Sequence, residues 1–140
     1  MSDRFFLDTN IFVYSFDQTA VVKAAKAVQL IRKALTTQKG VISYQVVQEF
    51  FNVALTRFSQ PMRLVDAEQY LGTVFRPLLG VHSSQALCAE ALQLQAQSRL
   101  SWCDSLIVSA AVQAQCDFLY TEDLPHGQRF GSLRVANPFL

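Results

Sequence analysis

The sequence predicts an α/β fold, a sandwich in which helices flank a parallel sheet. Short apolar runs such as Phe5–Leu7 and Phe118–Tyr120 alternate with longer stretches in which apolar residues recur at helical spacing. Runs that are apolar throughout are typical of parallel strands, which are buried on both faces and joined by helices. With 140 residues, 51% of them hydrophobic, the chain fits one domain spanning residues 1–140.

The N-terminal third contains a strand, a helix and a second strand. The run Phe5–Leu7 ends abruptly at Asp8, which predicts a buried strand followed by a polar turn. Across residues 19–37, apolar residues at helical spacing alternate with basic residues, which predicts an amphipathic helix with a basic outer face. Gly40 ends this helix, and a brief strand follows at residues 41–42.

Helices dominate the rest of the chain. Capping residues and proline breaks predict helices at 44–58 behind Ser43, at 66–75 between Asp66 and Pro77, from Ser83 or Ser84 to about 98, and from Ser101 through Val112. Short apolar runs predict strands at 81–82, 118–120 and 133–136.

Charge and cysteine content restrict the classes of protein to consider. Twelve Lys and Arg against eleven Asp and Glu give a net charge of +1, which does not by itself indicate nucleic acid or an anionic membrane. Cys88, Cys103 and Cys116 match neither a zinc spacing nor a redox pair, which fits a reducing compartment. The N-terminus lacks a secretory pattern, and no apolar run approaches the ~18 residues needed to cross a bilayer. We expect a cytoplasmic protein that does not enter a membrane.

Two acidic residues follow predicted strands. Asp8 comes directly after the first strand, and Asp123 lies just beyond Tyr120. Because ligands of open α/β sheets bind outside the carboxyl ends of the strands, both side chains are expected at one edge of the sheet. The ordinary alternative is that each is a turn residue whose side chain bonds nearby backbone amides.

Two further acids lie on predicted helices. Glu49 borders the apolar stripe that contains Val46 and Val53, although a solvated glutamate would also fit there. Asp104 shares an otherwise apolar helix face, but Ser101-x-x-Asp104 also resembles a capping box. Capping does not exclude metal binding.

Several carboxylates in one small concavity would repel one another unless a cation compensates their charge. Oxygen ligands without a His or Cys cluster favour Mg²⁺ or Mn²⁺ over zinc. Such an ion suits hydrolysis of a phosphodiester by metal-activated water, with one or two ions, and one carboxylate could serve as general base. Asn10, Ser43 and Thr121 could orient the carboxylates or the water, and each equally suits a turn or a cap.

Four segments, in order, resemble the motifs of PIN-domain nucleases: Phe6-Leu7-Asp8-Thr9-Asn10, Gln48-Glu49-Phe50, Trp102-Cys103-Asp104-Ser105 and Thr121-Glu122-Asp123. The resemblance implies a three-layer α/β/α sandwich with a central parallel sheet and endonucleolytic cleavage of RNA. It also implies a Mg²⁺ or Mn²⁺ site made by Asp8, Glu49, Asp104 and Asp123. In size the chain resembles the VapC-type toxins of bacterial toxin–antitoxin pairs, which implies an antitoxin partner and a homodimer.

The last motif departs from the usual pattern of the family, because Glu122 and Asp123 are adjacent. Alternation along an extended chain puts Thr121 and Asp123 on one face, and the resemblance favours the same choice, so Asp123 is the expected ligand. Whether Glu122 also contributes stays open. Basic residues that could contact phosphates are Lys23, Lys26, Arg57, Arg63, Arg99 and Arg129. Taken one at a time, each is better explained as an ordinary solvated charge.

Two other functions compete with the nuclease. A metal-dependent phosphatase or phosphotransfer domain also uses an aspartate at a strand end, but it would place a lysine after a later strand. Here all four lysines lie between Lys23 and Lys39. A catalytically silent PIN-like scaffold would bind RNA or protein without cutting it, and the presence of all four acids argues against it. The sequence does not identify the RNA, its cleavage site or the antitoxin.

Overall fold

A computed structural model describes residues 2–140 of the chain. Its strands are β1 (Phe5–Leu7), β2 (Gly40–Ser43), β3 (Leu79–Val81), β4 (Phe118–Tyr120), β5 (Arg129–Phe130) and β6 (Leu133–Ala136). They form one sheet in the order β3-β2-β1-β4-β6-β5, in which every neighbouring pair is parallel except β5 and β6. The predicted parallel sheet is confirmed, and a two-residue antiparallel strand is added at one edge.

The helices lie on both sides of this sheet, as the three-layer prediction requires. They are α1 (Thr9–Tyr14), α2 (Val21–Thr37), α3 (Tyr44–Ala54), α4 (Leu64–Tyr70), α5 (Arg76–Leu78), α6 (Gln85–Ser98) and α7 (Trp102–Gln113). A π-helical turn, Leu71–Phe75, joins α4 to α5. Across residues 2–140, no helix combines the length and the apolar character that a bilayer crossing needs.

Most predicted elements are present, with differences at their ends. Strands β4 and β6 have the predicted bounds, and Ser84 caps α6 by accepting a hydrogen bond from the backbone N–H of Leu87 at 3.1 Å. Pro77 does not end the third predicted helix, because it occupies the first turn of α5, where no intrahelical N–H bond is required. Asp66 lies inside the first turn of α4 instead of capping it.

Helix α1 was not predicted, because a six-residue segment shows too little periodicity to be distinguished from a turn. Asp8 caps this helix: its Oδ1 accepts a hydrogen bond from the backbone N–H of Thr9 at 2.7 Å. The predicted turn is therefore a helix start, and the chain turns sharply out of the sheet directly after Asp8.

Strands β4 and β6 are buried on one face only. Leu119, Leu133 and Val135 are buried, whereas Arg134 is exposed and Phe118 retains 38% of its accessible surface. Helix α7 packs against both β2 and β4, whereas α2 packs against β2. One face of the sheet is therefore open on the β4–β6 side, which the uniformly apolar sequence of β4 did not reveal.

Helix α2 and strand β2 approach each other closely at Gly40. A Cβ atom on Gly40 would lie 2.1 Å from the Cβ of Ala34 and 2.8 Å from its Cα. Both residues are buried, and the second of these atoms belongs to the helix backbone. The contact between helix and sheet therefore depends on the absence of a side chain at position 40.

Candidate active site

Asp8 is the most buried of the four predicted acids, with 6% of its surface exposed. Besides the bond from Thr9, its Oδ2 accepts a hydrogen bond from the hydroxyl of Thr121 at 2.7 Å. Burial raises the pKa of the Asp8 carboxyl to about 7, helped by the charges of Asp123 and Glu49, although the two hydrogen bonds act in the opposite direction. Because desolvation outweighs the two hydrogen bonds, the ionised Asp8 carboxylate is unfavourable unless it takes up a proton or binds a cation.

Thr121 connects Asp8 to Asp123. Its Oγ1 accepts hydrogen bonds from the backbone N–H of Asp123 at 3.1 Å and from Nδ2 of Asn10 at 3.3 Å. Nδ2 of Asn10 also donates to Oδ2 of Asp123 at 3.1 Å. The predicted supporting positions of Asn10 and Thr121 are therefore beside the acids, and together they fix the two carboxylates that follow β1 and β4.

Glu49 reaches the same site from α3. Its Oε1 accepts a hydrogen bond from the hydroxyl of Thr9 at 2.8 Å, and its Oε2 accepts a long one from Nε2 of Gln45 at 3.5 Å. Nε2 of Gln45 also donates to the backbone carbonyl of Cys103 at 3.2 Å. One amide thus ties the helix that carries Glu49 to the start of the helix that carries Asp104.

Asp104 lies in the first turn of α7. Its backbone N–H donates to the hydroxyl of Ser101 at 3.1 Å, so the predicted cap by Ser101 is present. Desolvation raises the pKa of Asp123, and the nearby charge of Asp104 raises it further, which indicates that the two carboxylates interact. The capped start of α7 therefore also places Asp104 at the cavity, so the two roles weighed for this residue are compatible.

All four predicted acids line one cavity of about 420 Å³ at the carboxyl edge of the sheet. The lining residues are Asp8, Thr9, Asn10, Val13, Tyr14, Gln45, Glu49, Val53, Cys103, Asp104, Ile107, Glu122 and Asp123. Ser43, predicted to support the acids, does not line this cavity: it precedes α3, and its buried Oγ has no hydrogen-bond partner among the described residues.

The side chains at the cavity fit a hard divalent cation by their chemistry. The acids offer oxygen ligands, and the buried Oδ1 of Asn10 lacks a hydrogen-bond partner within the part of the chain described. In residues 2–140, however, no three His, Cys, Asp or Glu side chains lie close enough to hold one ion together. The acids thus share a cavity without forming a closed coordination sphere.

The carboxylate of Glu122, at the same cavity, is oriented towards Tyr14 and Lys23. Its Oε1 accepts a hydrogen bond from the hydroxyl of Tyr14, and its Oε2 lies 3.1 Å from Nζ of Lys23. That ammonium also lies 4.6 Å from the ring centroid of Tyr14. Sequence reasoning missed the roles of Tyr14, Thr9 and Gln45, because nothing in a pattern links residues that meet only through the fold.

Comparisons with known proteins agree with this geometry. The PIN domain family matches residues 5–125. The fold is similar to FitAcB from Neisseria gonorrhoeae, with 16% identity over 96% of this chain and 98% of that chain and a TM-score of 0.70. It is also similar to a toxin–antitoxin complex from Klebsiella pneumoniae, with 19% identity, coverage of 95% and 96%, and a TM-score of 0.65. A third similar structure is VapC20 of Mycobacterium tuberculosis, a toxin that cleaves the sarcin-ricin loop, with 16% identity, coverage of 85% and 91%, and a TM-score of 0.57. No curated protein sequence matches the chain.

Proposed function

Because this chain belongs to the PIN-domain family, we propose that it is a divalent-metal-dependent endoribonuclease and the toxin of a type II toxin–antitoxin pair. The observation that carries the proposal is that Asp8, Glu49, Asp104 and Asp123 line one cavity outside the carboxyl ends of β1 and β4. Structural neighbours that include toxin–antitoxin complexes and an RNA-cleaving toxin support it. The same neighbours support an antitoxin as partner. The homodimer is proposed from the resemblance to VapC-type toxins alone, and the three free thiols fit the cytoplasm.

The four acids would hold Mg²⁺ or Mn²⁺, which supplies an activated water and neutralises charge on the phosphate. The surrounding side chains keep these acids in place before substrate arrives. The Thr121 hydroxyl fixes the rotation of the Asp8 carboxylate, and Thr9 and Gln45 hold the two oxygens of Glu49. Asn10 restrains Asp123. The outer polar contacts thus preorganise the ligands and reduce the rearrangement that metal binding requires.

Cleavage assays on purified protein freed of antitoxin test this proposal directly. With structured RNAs we expect endonucleolytic products in Mg²⁺ or Mn²⁺ and none in EDTA. Asp104→Asn should lower the rate by about 100-fold or more, because it removes a ligand charge. Asp66→Asn is the matched control, since Asp66 is an exposed acid also located in the first turn of a helix, and it should cleave at the normal rate.

Absence of cleavage across several RNAs would contradict the nuclease proposal. If Mn²⁺ binding were also undetectable by calorimetry, a catalytically silent scaffold would be the better description. Hydrolysis of a phosphomonoester by the wild type, lost in Asp8→Asn, would instead favour the phosphatase alternative.

The orientation of Glu122 gives a separate prediction about which acid of the adjacent pair binds metal. Glu122→Gln keeps a hydrogen-bond acceptor for Tyr14 and should bind Mn²⁺ within about threefold of wild type. Asp123→Asn should weaken Mn²⁺ binding by at least 10-fold, an effect of more than 1 kcal/mol. Isothermal titration calorimetry at one pH compares the two variants. The assignment of Asp123 is wrong if Glu122→Gln has the larger effect.

A further inference from the structure

The open side of the sheet carries two aromatic residues of β4. Phe118 and Tyr120 alternate with buried Leu119, so both side chains are on the open face. Their ring centroids lie 6.2 Å apart, with an angle of 21° between the ring planes. Phe118 is paired in register with Arg134 of β6, which places this exposed arginine on the same face. An exposed arginine thus shares this face of the sheet with two nearly parallel rings.

All four lysines of the chain lie along the neighbouring flank. Lys23, Lys26 and Lys33 are spaced so that they form one stripe on α2, and Lys39 follows the helix. At the lower end, Nζ of Lys33 lies 5.5 Å from the ring centroid of Phe5, the residue paired in register with Phe118. At the upper end, Lys23 contacts Glu122 at the rim of the candidate active site. The stripe therefore runs from the open face to the cleft.

A cavity of about 430 Å³ lies between the stripe and β4. Phe5, Phe118 and Tyr120 provide its aromatic surface, and Lys33 and Lys39 provide its cations. Two acids, Asp3 and Asp117, also line it, and Oδ2 of Asp117 accepts a hydrogen bond from the backbone N–H of Asp3 at 2.8 Å. With Arg134, cations outnumber acids around the rings. We call Phe118, Tyr120, Lys33, Lys39 and Arg134 the open-face platform.

We propose that the open-face platform binds a segment of single-stranded RNA, with bases stacked on Phe118 and Tyr120 and phosphates near Lys33, Lys39 and Arg134. Stacking on aromatic rings flanked by cations is how proteins bind single strands without reading their sequence. The platform leads to the cleft, because only about 10 Å of extended chain separates Phe118, at the start of β4, from Thr121, directly after its end. The proposal rests on the proposed function for the identity of the ligand, and it assigns a second contact surface outside the metal site.

Charge favours RNA over a protein as the occupant of this surface. The C-terminal residues cover the upper part of the lysine stripe, where Nζ of Lys23 lies 5.6 Å from the ring centroid of Phe139 and Nζ of Lys26 donates to the carbonyl of Leu140 at 3.5 Å. The lower part keeps Lys33 and Arg134 exposed beside the rings. An apolar protein interface would leave these cations without partners, whereas an RNA backbone would neutralise them.

Fluorescence anisotropy of a labelled single-stranded RNA in EDTA tests the platform without cleavage. Phe118→Leu, which keeps the residue apolar, should weaken binding by about 10-fold, and Phe118→Tyr, which keeps an aromatic ring, should bind normally. Lys33→Gln should lower the slope of log affinity against log salt by about 0.7. The controls are Leu92→Ala and Arg76→Gln, exposed positions on α6 and α5 that remove an apolar side chain and a cation away from the platform.

Affinity of Phe118→Leu within twofold of wild type, with an unchanged melting temperature, would overturn the platform proposal. A change in oligomer mass by light scattering with RNA affinity unchanged would also overturn it and assign the face to a second copy of the chain. Failure of the nuclease proposal is distinguishable: the wild type would then bind RNA through Phe118 but not cleave it. If both proposals hold, the Phe118→Leu variant should raise KM for cleavage and leave kcat unchanged.

Discussion

Asp8→Asn is expected to abolish metal-dependent cleavage while raising the melting temperature of the protein in EDTA at pH 8. Burial places the pKa of Asp8 near 7, far above its ordinary value of 3.8. Between these two values the folded protein keeps a proton that the unfolded chain has released. The free energy of unfolding therefore falls as the pH rises through this window, by about 4 kcal/mol for this group.

Asparagine at position 8 removes that charge and with it the pH dependence. The amide cannot satisfy both existing contacts, because the N–H of Thr9 and the hydroxyl of Thr121 both donate to Asp8, so one hydrogen bond of about 1 kcal/mol is lost. The net gain at pH 8 is about 3 kcal/mol, or roughly 10 °C for a chain of this size. At pH 5, where the folded protein still holds the proton, the gain should shrink to below about 1 kcal/mol. Thermal melts at both pH values measure the difference.

A divalent metal should raise the melting temperature of wild type relative to that of the Asp8→Asn variant, which is the reverse of the difference expected in EDTA. At pH 8, saturating Mg²⁺ or Mn²⁺ is expected to raise the melting temperature of wild type and to leave the Asp8→Asn variant unchanged, since a ligand that binds the folded state stabilises it. Asp17→Asn is the matched control, because hydrogen bonds from Thr19 hold the pKa of Asp17 below its ordinary value. A variant at Asp8 that melts below wild type at pH 8 in EDTA would show that this carboxylate is not under electrostatic strain.

Gly40→Ala is expected to cause a large loss of stability from a single added methyl group. The new Cβ would lie 2.1 Å from the Cβ of Ala34, so α2 or β2 must shift. Overpacking of this kind costs about 3 kcal/mol, which corresponds to a fall of roughly 10 °C in melting temperature. Because β2 pairs with β1, which ends directly before Asp8, the shift should also weaken Mn²⁺ binding.

Gly72→Ala provides the control for the effect of the substitution itself. A Cβ at Gly72 meets no atom within 4 Å, and this residue lies in the helical turn between α4 and α5. Alanine there should be neutral or stabilising by up to about 1 kcal/mol. Equal melting temperatures for Gly40→Ala and wild type would mean that the contact between α2 and β2 relaxes without cost.

The sequence predicted the sheet well where strand and helix patterns differ clearly. Strand β4 is bounded by Asp117 and a polar turn, and its three apolar residues are distinct from the helix before it. Helix α1 is too short to show a period, and the two-residue β5 forms only by pairing with β6. Short elements of this kind are determined by tertiary contacts that local patterns do not contain.

The sequence predicted that the four acids lie at one site, but it did not predict the contacts that hold them there. A strand end indicates where Asp8 and Asp123 lie, because the carboxyl edge of a parallel sheet is a general binding position. Nothing in the sequence pairs Thr9 with Glu49, which lie 40 positions apart, or Lys23 with Glu122, which lie 99 apart. These contacts depend on where side chains point in the folded protein, and the spacing of residues in the sequence does not predict that.

The hydrogen bond between Asp8 and Thr121 joins positions 113 residues apart, and β4, which ends directly before Thr121, lies between β1 and β6. During synthesis, Asp8 leaves the ribosome long before its partner strand exists, and the sheet closes only when the last tenth of the chain has emerged. Long-range pairing of this kind is a late and cooperative event. A nascent chain therefore carries its acids without an assembled site, and the proposed nuclease site would form only once β4 and β6 have joined the sheet.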